Sequence, residues 1–180
     1  RELGDWALYE ACRFNKKIMD QGYENIVVSV NISPAQLVGD SLIHVVQDVL
    51  HTTGLPAELL ELEITESILM DSIEHNLYII DCIKSMGVKI ALDDFGTGYS
   101  SLNYLTRIPI NTLKIDKSFI DRIVVNAKDE FIADTIITLA HKMDIAVIAE
   151  GVEDIEQLKI LQEQMCDILQ GYFFSKPLLA

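Results

Sequence analysis

Apolar residues recur at helical spacing from Glu2 to about Asp20, at Leu3, Trp6, Ala7, Leu8, Ala11, Phe14 and Ile18. Gly22 ends the predicted helix. The pattern then changes: Ile26 to Ile32 is a compact β-branched run, expected as a strand. Ser33-Pro34-Ala35-Gln36 opens a second predicted helix, with Ser33 as cap, Pro34 in the first helical position and Gln36 completing a capping box. Its spacing carries it to about Thr53, where Gly54 stops it. The cycle repeats. Strands are predicted from Leu60, Val88, Thr112 and Ile145, and a last one from Ile168 to Phe174. Helices are predicted from Ile73 to Met86, from Ser101 to Thr106, from Glu130 to Met143, and from the capping box Asp154-Ile155-Glu156-Gln157 to Glu163.

Strand followed by helix, with connections long enough for parallel crossovers, fits an open doubly wound sheet or a closed barrel. The strand ends separate the two. Asn31, Glu63, Asp93, Lys114, Glu150 and Gln170 each fall at or near the C-terminal end of a successive predicted strand. An open sheet collects ligand groups at one switch point, whereas every strand of a barrel ends at one mouth. The expected fold is therefore α/β, a TIM-like (β/α)8 barrel. A full barrel has eight strands in typically about 250 residues. Six are counted here, and the first helix has no strand before it, so the first two strands are expected upstream of Arg1. Residues 1–180 are expected to form a single domain, incomplete at its N-terminus.

Composition narrows the partners. The formal net charge is −14. DNA and long RNA need clustered Lys and Arg to neutralise phosphates, so neither is an expected partner. A small anionic ligand remains compatible if metal ions supply positive charge. Cys12, Cys82 and Cys166 are far apart and lack Cys-x-x-Cys spacing, which predicts free thiols in a reducing compartment. No apolar run approaches the roughly 20 residues of a membrane span. A cytoplasmic domain is expected, with membrane anchoring of a parent protein left open.

The expected mouth gathers Glu63, Asp93, Asp94 and Glu150, whose mutual repulsion calls for cations with a preference for oxygen ligands. His44, His51, His75 and His141 all fall in predicted helices and form no cluster with Cys, which argues against zinc. With Asn31 as a neutral ligand, the all-oxygen set suggests Mg²⁺ or Mn²⁺. Asp93 and Asp94 suit two ions, one carboxylate bridging and its neighbour binding the second. Taken alone, the pair reads equally as a turn and helix cap; beside the other strand ends it reads as metal-binding. Lys114 adds a point charge for the developing phosphate charge. Gly96 and Gly98 give the following loop access to positive φ. That loop is neither a Walker A nor a kinase element, since no Gly-Lys-Ser/Thr follows and no His-Arg-Asp precedes it.

The segments Val30-Asn31-Ile32-Ser33-Pro34, Glu61-Leu62-Glu63-Ile64-Thr65-Glu66, Asp93-Asp94-Phe95-Gly96-Thr97-Gly98-Tyr99-Ser100-Ser101-Leu102, Leu113-Lys114-Ile115-Asp116, Ala149-Glu150-Gly151-Val152-Glu153 and Gln170-Gly171-Tyr172 stand in this order along the chain. Together they closely resemble the EAL family, the bacterial cyclic di-GMP phosphodiesterase domain. The resemblance implies that Asn31, Glu63, Asp93, Asp94 and Glu150 hold two Mg²⁺ or Mn²⁺ ions, with Asp93 shared. It implies that Lys114 steadies water and phosphate, that Gln170 hydrogen-bonds near the metal water, and that Glu153 supports the substrate side. It implies too that Glu66 holds the loop running from Asp94 through Phe95, Gly96, Thr97, Gly98, Tyr99 and Ser100, a loop that in this family couples homodimerisation to the site. Sensor or cyclase-like domains are expected in the parent.

The Glu-Ala-Leu motif that names the family, with its metal-binding glutamate and following arginine, does not occur in this chain; Glu10-Ala11-Cys12 lies in the first predicted helix. The expectation is a parent domain that hydrolyses cyclic di-GMP to the linear dinucleotide, with little turnover by this chain alone. The rivals are a receptor that binds the nucleotide without cleaving it and an interaction module that does neither.

Overall fold

A computed structural model describes residues 2–96 and 105–178. It contains two compact units, Arg1–Ala91 with Arg107–Pro109, and Leu92–Thr106 with Ile110–Ala180. The sheet order follows chain order through six strands, β1-β2-β3-β4-β5-β6.

In the first unit, helix α1 (Glu2–Asp20) packs on strand β1 (Val28–Asn31) and helix α2 (Ser41–Thr53). Leu8, Cys12 and Asn15 are its buried residues. Asn15 Nδ2 donates to the Ile26 and Leu59 carbonyls at 2.8 and 3.2 Å, pinning the helix to the entrances of β1 and β2 (Leu60–Thr65). The apolar stripe is only partly covered: Leu3, Trp6 and Phe14 are exposed. β1 and β2 pair in parallel, with Val28 opposite Leu60 and Asn31 opposite Glu63. Along β2, Leu60, Leu62 and Ile64 occupy one face and Glu61 and Glu63 the other, and all five are buried. Burial of both faces is the habit of parallel sheets. Ser29 Oγ donates to Glu61 Oε1 at 3.0 Å, satisfying part of one such carboxylate.

The helix predicted from Ser33 to Thr53 is in fact two elements, a 3₁₀ turn at Pro34–Gln36 and then α2. Gln36 Oε1 accepts from the Ser33 N–H at 3.1 Å, as the capping box requires, while Gln36 Nε2 donates to Asp5 at 3.1 Å. Gly39 then takes φ +69°, which ends the turn before α2 can begin. A short helix α3 (Glu66–Asp71), not foreseen from spacing, precedes α4 (Ile73–Ser85). Buried Asn76 closes it, donating to the Ile68 and Leu69 carbonyls at 3.0 and 3.1 Å. The predicted helix from Ser101 to Thr106 falls largely outside the described residues.

β3 (Lys89–Phe95) passes from the first unit into the second. There follow β4 (Thr112–Ile115), the short helix α5 (Lys117–Ile120), α6 (Ala127–His141), β5 (Ala146–Glu150), α7 (Ile155–Glu163) and β6 (Ile168–Gln170). β5 pairs in parallel with both β4 and β6. Asp116, Asn126 and Asp154 cap the three helices, each accepting from a backbone N–H of the first turn. Helix α5 went unpredicted because its apolar pattern is too short to show a period. The last strand is shorter than expected. After Gln170 the chain turns onto Val152, whose N–H donates to the Gln170 carbonyl and whose carbonyl accepts from the Phe173 N–H, both at 3.0 Å. A Cβ at Gly171 would collide with the Val152 backbone.

Asp167 pins the start of β5. Its Oδ2 accepts from the Val147 N–H and lies 2.8 Å from His141 Nε2. Partial burial raises its pKa, but the hydrogen bonds from His141 and Val147 outweigh this, and the net shift is downward from 3.8. A lowered carboxylate pKa adds stability above the ordinary value and loses it as pH falls through the folded value. Asp167→Ala is expected to cost about 1 kcal/mol in urea denaturation at neutral pH, with the gap from wild type closing as pH drops below 3.8.

Candidate metal centre and catalytic site

The second unit brings three strand ends together. Lys114 on β4 is 3% exposed, and its ammonium lies 3.1 Å from Asp93 Oδ1 on β3 and 2.8 Å from Glu150 Oε1 on β5. One carboxylate oxygen from each of Asp93, Asp94 and Glu150 lies within 4.8 Å of the other two. Successive strand residues normally point to opposite faces. Asp94 escapes that rule with φ +56°, a left-handed conformation that Asp tolerates better than most residues. Its N–H donates to Asp93 Oδ1 at 3.0 Å. The strained residue thus lets neighbours in sequence share one site. The pKa of Asp94 is raised, first by burial and then by the charges of Asp93 and Asp116, with Lys114 opposing.

Three carboxylates against one ammonium leave an excess of negative charge. The donors are all oxygen, which fits a hard divalent cation and not zinc. Gln170 ends β6 in register with Glu150. Next to them a cleft of about 240 Å³ is lined by Lys117, Glu150, Glu153, Gln170 and Tyr172. Lys117 Nζ donates to Glu153 Oε1 at 2.5 Å. Lys117 and Tyr172 were given no role on sequence grounds. The only available signal was position: Lys117 directly follows the Lys114-Ile115-Asp116 segment, and Tyr172 follows Gln170-Gly171.

In the first unit, Asn31 and Glu63 stand side by side in the parallel register. The Ile32 N–H donates to the Glu63 carbonyl at 2.9 Å, holding the two strand ends together. Glu63 is buried and Asn31 exposed. Glu66 is 2% exposed in the first turn of α3, where a carboxylate favours the helix dipole. Phe95 is buried, and Gly96 takes φ +96° over the Phe119 ring. Thr97, Gly98, Tyr99 and Ser100 lie outside the described residues.

The family model described as EAL domain matches residues 1–177. The chain belongs to the EAL domain family. Cyclic di-GMP phosphodiesterase NbdA of Pseudomonas aeruginosa is 44% identical over 177 residues, 98% of this chain and 23% of that protein. A solved structure of the PaMucR phosphodiesterase in complex with c-di-GMP superposes with a TM-score of 0.96 at 37% identity, covering 99% of this chain and 72% of that one. A complex of Klebsiella pneumoniae BlrP1 with manganese and cy-diGMP gives a TM-score of 0.83 at 26% identity, covering 96% of this chain and 45% of that one. The fold is the TIM-like β/α barrel type of EAL domains, represented here by six parallel strands. The chain spans about a quarter of the length of the curated relatives it matches. Among the described residues no helix is long and apolar enough to cross a membrane.

The three strand ends make Lys114 the counter-charge of its own cluster. Lys114→Met strands Asp93 and Glu150 beside each other, which is expected to cost about 3–5 kcal/mol in the metal-free protein. Urea denaturation with and without Mn²⁺ checks this, and added metal should recover part of the loss.

Proposed function

We propose that this chain carries the greater part of a cyclic di-GMP phosphodiesterase site that opens the cyclic dinucleotide to its linear form. The observation that carries the reading is the approach of Asp93, Asp94 and Glu150 around the buried Lys114. Family membership and the cyclic dinucleotide complexes of similar structures support it. Asp93, Asp94 and Glu150 enter the metal set through their geometry, and Asn31 and Glu63 through the family motifs. The ions proposed are Mg²⁺ or Mn²⁺. A divalent pair at such a set lowers the pKa of water and clamps a scissile phosphate.

The protein groups divide the remaining work. Glu150 accepts the proton that water loses as it attacks phosphorus, and solvent supplies the proton that the departing ribose oxygen takes up. Lys114 holds that carboxylate in place and, as an ammonium, offsets charge growing on the phosphoryl oxygens as the bond to the leaving ribose oxygen breaks. Gln170, beside Glu150, orients the water. Glu153 supports the substrate side, and Glu66 holds the loop after Asp94. Homodimerisation through that loop is part of the proposal, as are cytoplasmic placement and linkage to sensor or cyclase-like domains in a longer protein. Sedimentation of the intact protein tests the dimer.

The decisive experiment titrates cyclic di-GMP into the intact protein with and without divalent metal. Metal-dependent release of the linear dinucleotide, abolished by EDTA and by Asp93→Asn, is the expected result. Full turnover by Asp93→Asn would sink the assignment. Binding without turnover would favour a receptor instead. Lys114→Ala is expected to lower kcat by about 100- to 1,000-fold.

A further inference from the structure

Lys117 sits outside the carboxylate cluster, yet its surroundings tie it to Glu150. Its aliphatic stem lies against Gly151, the residue immediately after Glu150. A Cβ at Gly151 would collide with Lys117 Cγ, and Gly151 holds φ +75° to make the approach. The ammonium reaches Glu153 Oε1 at 2.5 Å and Asp121 Oδ1 at 3.0 Å. One side chain thus spans α5 and both ends of the loop from Gly151 to Glu153. A second tie runs beside it. Buried Gln157 donates from Nε2 to the Ile120 carbonyl at 3.0 Å, and its Oε1 accepts from the Glu153 N–H at 2.7 Å. On its far side the loop is held by Val152, which exchanges backbone hydrogen bonds with Gln170 and Phe173.

We propose that Lys117 is a positioning residue for Glu150: it clamps the loop after β5 onto α5 and so fixes the direction in which the Glu150 carboxylate leaves its strand. The proposal rests on the phosphodiesterase reading for its catalytic consequence and on the geometry of the loop for the clamp itself. An ion pair whose head group is half exposed contributes little to global stability. The tight fit of stem against Gly151 and the double engagement of the ammonium point to orientation as its role.

The test compares Lys117→Met, Lys117→Arg and wild type in the intact protein. Amide hydrogen exchange at Val152 and Glu153 is followed alongside kcat, KM and the thermal midpoint. Lys117→Met is expected to exchange faster at those amides and to lose about 10- to 100-fold in kcat, the range for groups that orient a site residue. KM is expected to stay near wild type, and the midpoint to move by no more than about 2 °C. Lys117→Arg, which keeps both the stem and the charge, should restore most of kcat. Unchanged exchange overturns the clamp whatever the activity. Faster exchange with wild-type kcat, or a raised KM at constant kcat, overturns the positioning role. Faster exchange in a protein whose wild type never hydrolyses cyclic di-GMP retires the phosphodiesterase reading and leaves the clamp standing.

Discussion

A lysine buried to 3% exposure cannot keep its charge without partners, and Lys114 has two of them in Asp93 and Glu150. The arrangement of the second unit follows from that requirement. β4 must lie between the strands that carry the two carboxylates, and the sheet order β3-β4-β5 provides this. The parallel register then sets Gln170 beside Glu150 at the next strand end. A hydrophobic replacement of similar volume would pack as well as a buried ion pair. The charges are therefore better explained by chemistry at the strand ends than by stability of the core.

Asp94 makes the same point through backbone strain. A regular strand would send it to the face opposite Asp93. Its positive φ brings the two carboxylates together, and burial beside Asp93 and Asp116 then opposes its ionisation. Conformational strain and like-charge crowding are both unfavourable in the isolated fold. A cation bound by the two oxygens would relieve the crowding and offset the strain, and this links the local geometry to the function proposed.

The loops beyond the strands are held by polar side chains working on backbone groups. Gln157, Asn76 and Asn15 are all buried; Asn76 and Asn15 each bond to two backbone groups and Gln157 to three. Such residues place loops precisely because a buried amide is costly unless its donors and acceptor are met. The formal net charge of −14 is a property of the whole chain, buried carboxylates included, whereas the site sets the Lys114 ammonium among its own carboxylates.

Much of this was legible in the residues alone. β-branched runs and caps marked the order of strands and helices, because hydrophobic period and turn chemistry are local properties. The polar residues at strand ends named the candidate site before any distance was known. The split at Gly39, the short helices α3 and α5 and the early end of β6 were not legible. Gln36 on Asp5 and Gly171 on Val152 are contacts distant in sequence, whereas α3 and α5 are too short for an apolar pattern to show a period. The exposure of Leu3, Trp6 and Phe14 was equally invisible, since a helical stripe says which side is apolar and not how much of it is covered. The sequence by itself determined the element types, the acidic oxygen donors and the family. Only the tertiary structure decided that Asp94 turns to join Asp93, that Lys114 neutralises two neighbours at once, and that Lys117 grips the loop after Glu150. The first is a local backbone conformation and the other two are through-space relations between residues far apart in the chain, and one-dimensional spacing carries no measure of either.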